Sequence, residues 1–212
     1  MKYNQIYQNN NVWGQQPNRL LRKLHGLFNI SGGFLDLGCG QGRDSLFMLQ
    51  KGFKVDAVDN SQEGINKIKE QIQVNNLLPT NITLFCDRIQ NFNIAKDKYG
   101  IINAFNSLQF LSKQEALKII NNIKSNIKNN GYVIISSFTT NDPLYIKINN
   151  DKRCFFEPQE LKKIFSDFNI IEYEEKIIED KGHPGTPKPH HHGIVKLIAQ
   201  KIRSIPNNNT II

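Results

Sequence analysis

The chain has 212 residues, of which 39% are hydrophobic and 22% are charged, and it carries a formal net charge of +8. This composition is typical of one globular domain and excludes an intrinsically disordered chain. No apolar run reaches membrane-spanning length, and the polar first residues lack the apolar core of a secretory signal. We therefore expect a cytoplasmic protein whose three widely separated cysteines are reduced thiols.

Periodic apolar residues and turn signals predict strands that alternate for the most part with helices. The predicted strands cover 34–37, 53–59, 81–86, 99–105, 132–138, 168–178 and 193–200. The predicted helices cover 17–28, 42–50, 61–76, 113–128 and 158–165. Ser112 with Glu115 has the form of a capping box for the fourth of these helices. This alternation predicts an α/β fold with a parallel sheet and right-handed crossovers.

The end of the chain departs from the alternation. No helix fits in the Pro- and His-rich segment 179–193, so the strands before and after it should form an antiparallel hairpin. If the first hairpin strand runs parallel to the others, this segment falls at the carboxyl edge of the sheet. We assign residues 1–30 to an N-terminal arm and helix that form a candidate lid, 31–201 to the main domain, and 202–212 to a flexible tail.

A glycine-rich turn, DLGCGQG from Asp36 to Gly42, joins the first predicted strand to the helix after it. Glycines let a ligand approach the backbone closely, and the first turn of a helix offers unpaired N–H groups. The spacing is not that of a G-x-G-x-x-G dinucleotide turn, and no Lys-Ser/Thr pair follows as in a P-loop. Asp36, at the strand end, disfavours a pyrophosphate and favours a cationic ligand group.

A second acidic residue, Asp59, ends the next strand about 20 residues past the glycines, where a carboxylate can accept both ribose hydroxyls. The alternative is that Asp59 is an ordinary surface residue. A cationic amino acid joined to a ribose, without phosphate, describes S-adenosylmethionine. The segments DLGCGQG, VDAVD and LFCD, in this order, resemble the nucleotide-binding motifs of class I S-adenosylmethionine-dependent methyltransferases.

The resemblance covers residues 34–200 and implies a Rossmann-like sheet of seven strands in the order 3-2-1-4-5-7-6. That sheet is mostly parallel, with an antiparallel C-terminal hairpin and helices on both faces. The resemblance also implies a set of cofactor-binding residues: Asp36, Leu37, Gly38, Cys39, Gly40, Gly42 and Arg43 in the turn, Asp59 and Asn60 near the ribose, Cys86, Asp87 and Arg88 near the adenine, Asn106 and Ser107 on the other side, and Trp13 in the arm. For Asp87 the alternative is ordinary turn chemistry, because Asp often follows a strand.

Three further segments narrow the resemblance. The stretch CGQGRDSLFMLQKGF, the tripeptide Val12-Trp13-Gly14 and the loop HPGTPKPHHHG together look like the tellurite-resistance branch of the family. This implies a small, single-domain, cytoplasmic enzyme that methylates tellurium or selenium oxyanions. Arg43 matches an arginine of that branch, and arginine at a helix N-terminus makes an anion site. The alternative is a structural ion pair between Arg43 and a neighbouring carboxylate.

The candidate catalytic residues are Arg43, His183, His190 and His192, which should face the acceptor at the carboxyl edge of the sheet. An easily ionised acceptor, such as a thiol or a chalcogen oxyanion, can react without a base from the protein. The histidines have three open interpretations: substrate contact or general base, a structural loop, or a metal site. Three adjacent histidines do not easily point at one ion, because side chains alternate along an extended segment, although His183 with His190 and His192 is a feasible set. We expect S-adenosylmethionine as the cofactor and no metal.

The expected partner is a small-molecule substrate, with no membrane and an oligomeric state open between a monomer and a homodimer. The basic charge suggests an RNA methyltransferase as the alternative. Against nucleic acid, the lysines are spread over helical segments, and the FNSLQF turn lacks the prolines of the Asp/Asn-Pro-Pro-aromatic motif. A third interpretation, an inactive methyltransferase fold with a binding or regulatory role, conflicts with the intact cofactor motif.

Overall fold

The structure is a computed structural model that describes residues 2–9, 12–24, 30–147, 152–183 and 186–202. Its helices are α1 (Lys2–Asn9), α2 (Arg19–Lys23), α3 (Arg43–Gln50), α4 (Gln62–Val74), α5 (Lys113–Asn126), α6 (Leu144–Lys147) and α7 (Glu160–Ile164). Its strands are β1 (Gly33–Leu37), β2 (Val55–Asp59), β3 (Ile82–Cys86), β4 (Tyr99–Phe105), β5 (Tyr132–Thr139), β6 (Phe155–Phe156), β7 (Asn169–Asp180) and β8 (His190–Gln200). Within the described ranges, no helix has the length and apolar character needed to cross a membrane.

Seven strands form one continuous sheet in the order β3-β2-β1-β4-β5-β8-β7. Strands β1 to β5 are parallel, β8 is antiparallel to β5, and β7 is antiparallel to β8. The predicted order and C-terminal hairpin are confirmed, since β7 and β8 are the predicted sixth and seventh strands. The sheet also has an eighth strand, β6, which pairs with the end of β5. Its two residues are too few to leave a periodic pattern in the sequence.

Helices cover both faces of the sheet, as predicted. One face packs against Ile120 of α5 and Leu161 of α7. The other face packs against Leu21 of α2, Met48 of α3 and Ile68 of α4. Because the central strands β1, β4 and β5 are covered on both sides, nearly every residue in them is buried.

Side-chain caps fix where the helices begin. Ser61 accepts a hydrogen bond from the Gly64 amide at 3.1 Å and starts α4. The predicted capping box is present at the start of α5. Of the helix predicted at 17–28, only α2 is observed, and residues 25–29 lie outside the described residues. Of the predicted tail 202–212, only Ile202 is described.

The N-terminal arm contains a helix that the sequence analysis did not predict. Helix α1 packs against α4, and Tyr7 is only 5% exposed. Tyr3, Ile6 and Tyr7 follow the i, i+3, i+4 spacing of an apolar helix face. Gln favours a helix but Asn does not, and eight residues are too few for a stable isolated helix, so contact with α4 rather than local preference stabilises α1.

Candidate cofactor site and histidine cluster

The glycine-rich turn between β1 and α3 lies at the carboxyl edge of the sheet, where the strand order reverses. Gly38, Gly40 and Gly42 have φ angles of 81°, 55° and 83°, in the left-handed region that favours glycine. The Gly38 amide donates to the Val58 carbonyl at 2.8 Å, which ties the turn to the end of β2. A Cβ on Gly38 would lie 2.4 Å from the Cβ of Ser107, so the turn passes directly against the loop after β4.

Two predicted cofactor residues in the turn have buried side chains. Leu37 is 0% and Cys39 is 9% exposed. Burial raises the pKa of the Cys39 thiol well above its usual value, so the thiol stays protonated. A contact of Leu37 or Cys39 with a cofactor would therefore involve their backbone atoms, and it stays a prediction. All three cysteines are free thiols, as expected.

Asp59 lies at the end of β2 beside the turn, at the position predicted for ribose recognition. Its carboxylate accepts hydrogen bonds from the Gly40 and Ser61 amides, both at 2.8 Å. Burial raises the pKa of Asp59, and the two backbone donors oppose that rise. A carboxylate accepts about four hydrogen bonds in all, so capacity for ribose hydroxyls remains. Asn60 follows on the exposed surface of the same edge.

Asp36 lies below the turn in a buried polar network. Its carboxylate accepts from Ser45 Oγ at 2.6 Å and from Asn103 Nδ2 at 2.8 Å. Burial, and secondarily repulsion from Asp44, raises the pKa of Asp36 to about 7. Asp36 is 2% exposed, so it would act on a cationic ligand group through its electric field rather than by direct contact, and only above about pH 7, where it is ionised.

This pKa gives a pH-dependent stability that Asp36→Asn should remove. An unfolded chain ionises Asp36 near pH 4, whereas the folded protein keeps the proton to about pH 7. The folded state then binds more protons across this interval, so the free energy of unfolding should fall as pH rises, by at most about 1.4 kcal/mol per pH unit. We expect urea denaturation at pH 5 and pH 8 to show a smaller fall for Asp36→Asn than for wild type. Equal falls would mean that folded Asp36 is already ionised at pH 5.

Arg43, at the start of α3, forms a bidentate ion pair with the adjacent Asp44. Its Nε and Nη2 lie 3.1 Å and 2.9 Å from the two carboxylate oxygens of Asp44. Its guanidinium carbon lies 5.4 Å from the centroid of the Phe105 ring. This geometry matches the structural alternative left open by the sequence. The anion-binding role of Arg43 stays a prediction.

The residues predicted to contact adenine follow β3. Cys86 is paired with Asp59 in the parallel register, so the predicted ribose and adenine contacts are neighbours. Asp87 accepts from the Arg88 amide at 2.6 Å and from Asn91 Nδ2 at 2.9 Å. These bonds are the turn chemistry left open as the alternative for Asp87. Cys86, Asp87 and Arg88 are all exposed at this edge, and their contact with adenine stays a prediction.

The loop after β4 forms the opposite wall of the site. Asn106 has a left-handed φ of 56°, and its side-chain oxygen accepts from Ser136 Oγ at 2.7 Å. Ser107 is 7% exposed, and in the described part of the chain its Oγ is one of the few buried side-chain oxygens without a hydrogen-bond partner. It lies 3.3 Å from the Cβ position of Gly38. A buried unpaired hydroxyl is costly unless water or a ligand satisfies it, so Ser107 is a candidate ligand contact.

The N-terminal arm covers the glycine turn. Tyr7 Oη lies 2.8 Å from the Cβ position of Gly40, and Asn4 Oδ1 accepts from Ser61 Oγ at 2.6 Å. Trp13 Nε1 donates to Tyr7 Oη at 3.2 Å. Burial raises the pKa of Tyr7, which keeps this hydroxyl protonated. The candidate lid is thus seated on the turn, and its opening and closing stay a prediction.

The candidate catalytic histidines lie together where β7 and β8 are joined. The Nε2 atoms of His190 and His192 are 2.9 Å apart, and the rings of His183 and His190 are 5.4 Å apart between centroids. His191 is exposed and, by the alternation of strand side chains, faces the other side of β8. The Trp13 and His183 ring centroids are 6.1 Å apart, so the cluster meets the arm that covers the glycine turn.

Sequence reasoning missed the acidic residues that accompany the histidines. Asp142 Oδ2 lies 2.8 Å from His192 Nδ1, and Asp180 is paired with His190 across the hairpin. A local feature of the sequence could have identified each of these two aspartates as a candidate site residue. Asp142 precedes Pro143 just after a buried strand, and Asp180 ends the long strand of a hairpin whose other strand begins with histidines.

Comparisons with known proteins identify the family of the chain. A family model described as "Tellurite resistance protein TehB" matches residues 29–183. A Haemophilus influenzae protein labelled "Probable S-adenosyl-L-methionine-dependent methyltransferase TehB" is 32% identical over 149 residues, which are 68% of this chain and 49% of that protein. The chain spans about half the length of the curated TehB relatives it matches.

Solved methyltransferase structures have a similar fold. The crystal structure of TehB from Haemophilus influenzae has a TM-score of 0.73 at 25% identity, covering 87% of this chain and 62% of that chain. A Burkholderia thailandensis 1,6-didemethyltoxoflavin-N1-methyltransferase, solved with S-adenosylhomocysteine, has a TM-score of 0.63 at 17% identity, covering 86% and 76%, and shows the fold alone. The chain therefore belongs to the TehB family and has the class I S-adenosylmethionine-dependent methyltransferase fold.

Proposed function

We propose that this chain transfers a methyl group from S-adenosylmethionine to a small-molecule acceptor, and that the acceptor is a chalcogen oxyanion or a thiol. The observation that carries the proposal is the meeting of the left-handed glycine turn, the Asp59 carboxylate and the unpartnered Ser107 hydroxyl at one sheet edge. The tellurite-resistance description of the family model and the methyltransferase label of the Haemophilus influenzae relative support it.

The residues around the turn fit an adenosyl and methionyl ligand better than a dinucleotide. A Cβ on Gly38 or Gly40 would overlap Ser107 or Tyr7, so glycine at these positions lets the loop after β4 and the N-terminal arm pack directly on the turn. Arg43 is paired with its neighbouring carboxylate, and Asp36 lies beneath the turn. Because the Arg43 guanidinium is already paired and the Asp59 carboxylate lies beside the turn, the site favours a cationic sulfonium and amino group over a pyrophosphate.

For this methyl transfer, the chain has to position the methyl donor and the acceptor and shield them from water. Bound S-adenosylmethionine would supply a methyl group on a positively charged sulfur, and the S–C electron pair stays on sulfur as the acceptor's lone pair bonds to carbon. Tyr7 and Trp13 close the turn from the N-terminal side and exclude water. Asp59 and Ser107 hold the two sides of the ligand in a fixed orientation, which is the larger part of what this displacement needs.

The acceptor is proposed to enter between the loop after β4 and the histidine cluster. A thiolate or an oxyanion already carries its nucleophilic lone pair, so no general base is required, and the histidines border its approach. Arg153 lies 5.3 Å above the Phe110 ring, and Phe110 packs edge-on against Tyr3 of the arm. Arg153 thus adds positive charge beside the arm, which favours an anionic acceptor.

The test is methyl transfer from radiolabelled S-adenosylmethionine to a panel of tellurite, selenite, small thiols and purified RNA. We expect label in small methylated products of the oxyanions or thiols and none in RNA. Stoichiometric labelling of RNA without labelling of the small acceptors would establish the RNA methyltransferase alternative. Tight cofactor binding without transfer to any acceptor would instead favour a binding or regulatory protein.

The proposed location is the cytoplasm. Cys39 and Cys154 are buried free thiols, and Cys86 is an exposed free thiol. An exposed thiol persists in a reducing compartment, which supports this location.

A further inference from the structure

The histidine cluster contains a set of side chains with the composition and spacing of a metal site. Asp180, His183, His190 and His192 each offer one ligand atom, and these four atoms all lie within 4.8 Å of one another. Ligand atoms around a tetrahedral zinc ion are about 3.4 Å apart, given metal–ligand distances of about 2.0–2.2 Å. The four side chains therefore need only small rotations to surround one ion.

The strand register explains why these side chains share one face. His190 and His192 are two residues apart on β8, so they point to the same side. Asp180 is directly opposite His190 on the antiparallel strand β7. His183 is held near them by a two-way backbone pairing with Thr186, at 3.0 Å and 2.8 Å. His191, between the two histidines of β8, is opposite Glu179 and outside the set.

The Nδ1 atoms of His190 and His192 each have a hydrogen-bond partner within the chain. His190 Nδ1 lies 2.8 Å from the Lys188 carbonyl, and His192 Nδ1 lies 2.8 Å from the Asp142 carboxylate. A carbonyl and a carboxylate only accept, so both Nδ1 atoms carry the proton. In neutral imidazoles, both Nε2 atoms then present lone pairs, and these atoms are 2.9 Å apart. Two lone pairs facing each other repel unless a cation lies between or beside them.

The surroundings of His192 hold it in a metal-binding orientation. Asp142 is 2% exposed and also accepts from the Gly193 amide at 3.2 Å. A Cβ on Gly193 would lie 2.5 Å from the Asp142 amide, so glycine after the three histidines allows this approach. The His192 ring stacks on Phe138 at 4.6 Å. A carboxylate that fixes the far nitrogen of a histidine is the usual support of a zinc ligand.

We infer that Asp180, His183, His190 and His192 bind one divalent transition-metal ion of the zinc class, although the sequence alone led us to expect no metal. Three imidazoles and one carboxylate are the ligands that zinc and cobalt prefer, and calcium and magnesium prefer oxygen. The ion would link the end of β7 to the start of β8, beside Trp13 of the arm. This inference concerns metal binding alone and does not depend on the proposed methyl transfer.

The experiment is titration of the chelator-treated full chain with Co²⁺ and Zn²⁺, without cofactor or acceptor. We expect one ion per chain, visible absorption of tetrahedral Co²⁺ that Zn²⁺ displaces, and a higher melting temperature with Zn²⁺. His190→Ala removes a ligand and should weaken the affinity by about 100-fold or more, since loss of a residue that only supports a ligand already costs about 10–100-fold. Asp180→Asn replaces the charged carboxylate by a neutral amide oxygen and should also weaken the affinity. The matched control His191→Ala should bind as tightly as wild type.

Circular dichroism of each variant separates lost binding from lost folding, and Asp180→Asn serves as a second variant that keeps the size of the side chain. Absence of stoichiometric binding by wild type would overturn the inference and leave a proton shared between His190 and His192. Equal loss in His191→Ala and His190→Ala would also contradict it, because surface histidines would then be responsible.

Discussion

Asp59→Ala is expected to weaken binding of S-adenosylhomocysteine by about ten- to a thousandfold in isothermal calorimetry. A hydrogen bond to a charged group contributes about 1.5–3 kcal/mol, and each 1.4 kcal/mol is a tenfold change in affinity. Alanine removes the acceptors proposed for the ribose hydroxyls, and it also releases the Gly40 amide that Asp59 holds at 2.8 Å. Both effects act on the same ligand, which is why this variant is expected to lose the most affinity.

The control for Asp59 is Asp167→Ala. Asp167 is an exposed aspartate whose ion pair with Lys124 is 2.7 Å long, and such surface pairs contribute little to stability. Its calorimetric affinity should equal that of wild type. Asp59→Ala with unchanged affinity would show that Asp59 is an ordinary surface carboxylate, the alternative that the sequence left open.

Gly38→Ala is expected to destabilise the protein strongly. Gly38 and Gly52 have φ angles of 81° and 83°, so alanine at either carries a similar left-handed strain. A Cβ at Gly38 would overlap Ser107 at 2.4 Å, whereas a Cβ at Gly52 meets nothing within 4 Å. The overlap should lower the free energy of unfolding of Gly38→Ala by about 1–3 kcal/mol more than that of Gly52→Ala.

Urea denaturation and calorimetry of the two glycine variants measure this difference. Only Gly38→Ala should also lose binding of S-adenosylhomocysteine. If the Ser107 Cβ is the cause, the double variant Gly38→Ala with Ser107→Gly should recover most of the extra loss of stability relative to Gly52→Ala. Equal destabilisation by Gly38→Ala and Gly52→Ala would mean that backbone strain alone matters and that the turn is not pressed against the loop after β4.

Local patterns in the sequence were sufficient to predict most of the fold. Alternating strands and helices, the capping box of Ser112 and Glu115, and the lack of a helix between the last two strands each leave a signal within a short segment. The resemblance to class I methyltransferases supplied the strand order. Helix α1 and strand β6 were missed because their formation depends on contacts with α4 and β5, which a local pattern does not contain.

The sequence was sufficient to predict those site residues that lie at the ends of adjacent parallel strands. Gly38 and Asp59 meet because the ends of adjacent parallel strands meet. The pairing of Arg43 with Asp44 was only one of two alternatives, since either residue could have turned toward a ligand. The Asp142–His192 contact spans 50 residues and arises from the packing of the loop after β5 against β8. Such long-range pairs leave no spacing to recognise in one sequence.

A crystal structure with S-adenosylhomocysteine would show directly where the chain binds its cofactor. We expect one arrangement, with the ribose at Asp59, the sulfur beside the glycine turn and Ser107, and the open side of the sulfur facing the histidine cluster. A ligand bound instead in the cleft between α3 and α4, which is bordered by Phe47, Lys67 and Gln71, would contradict it. So would crystals that, at saturating concentration, contain no ligand at the turn.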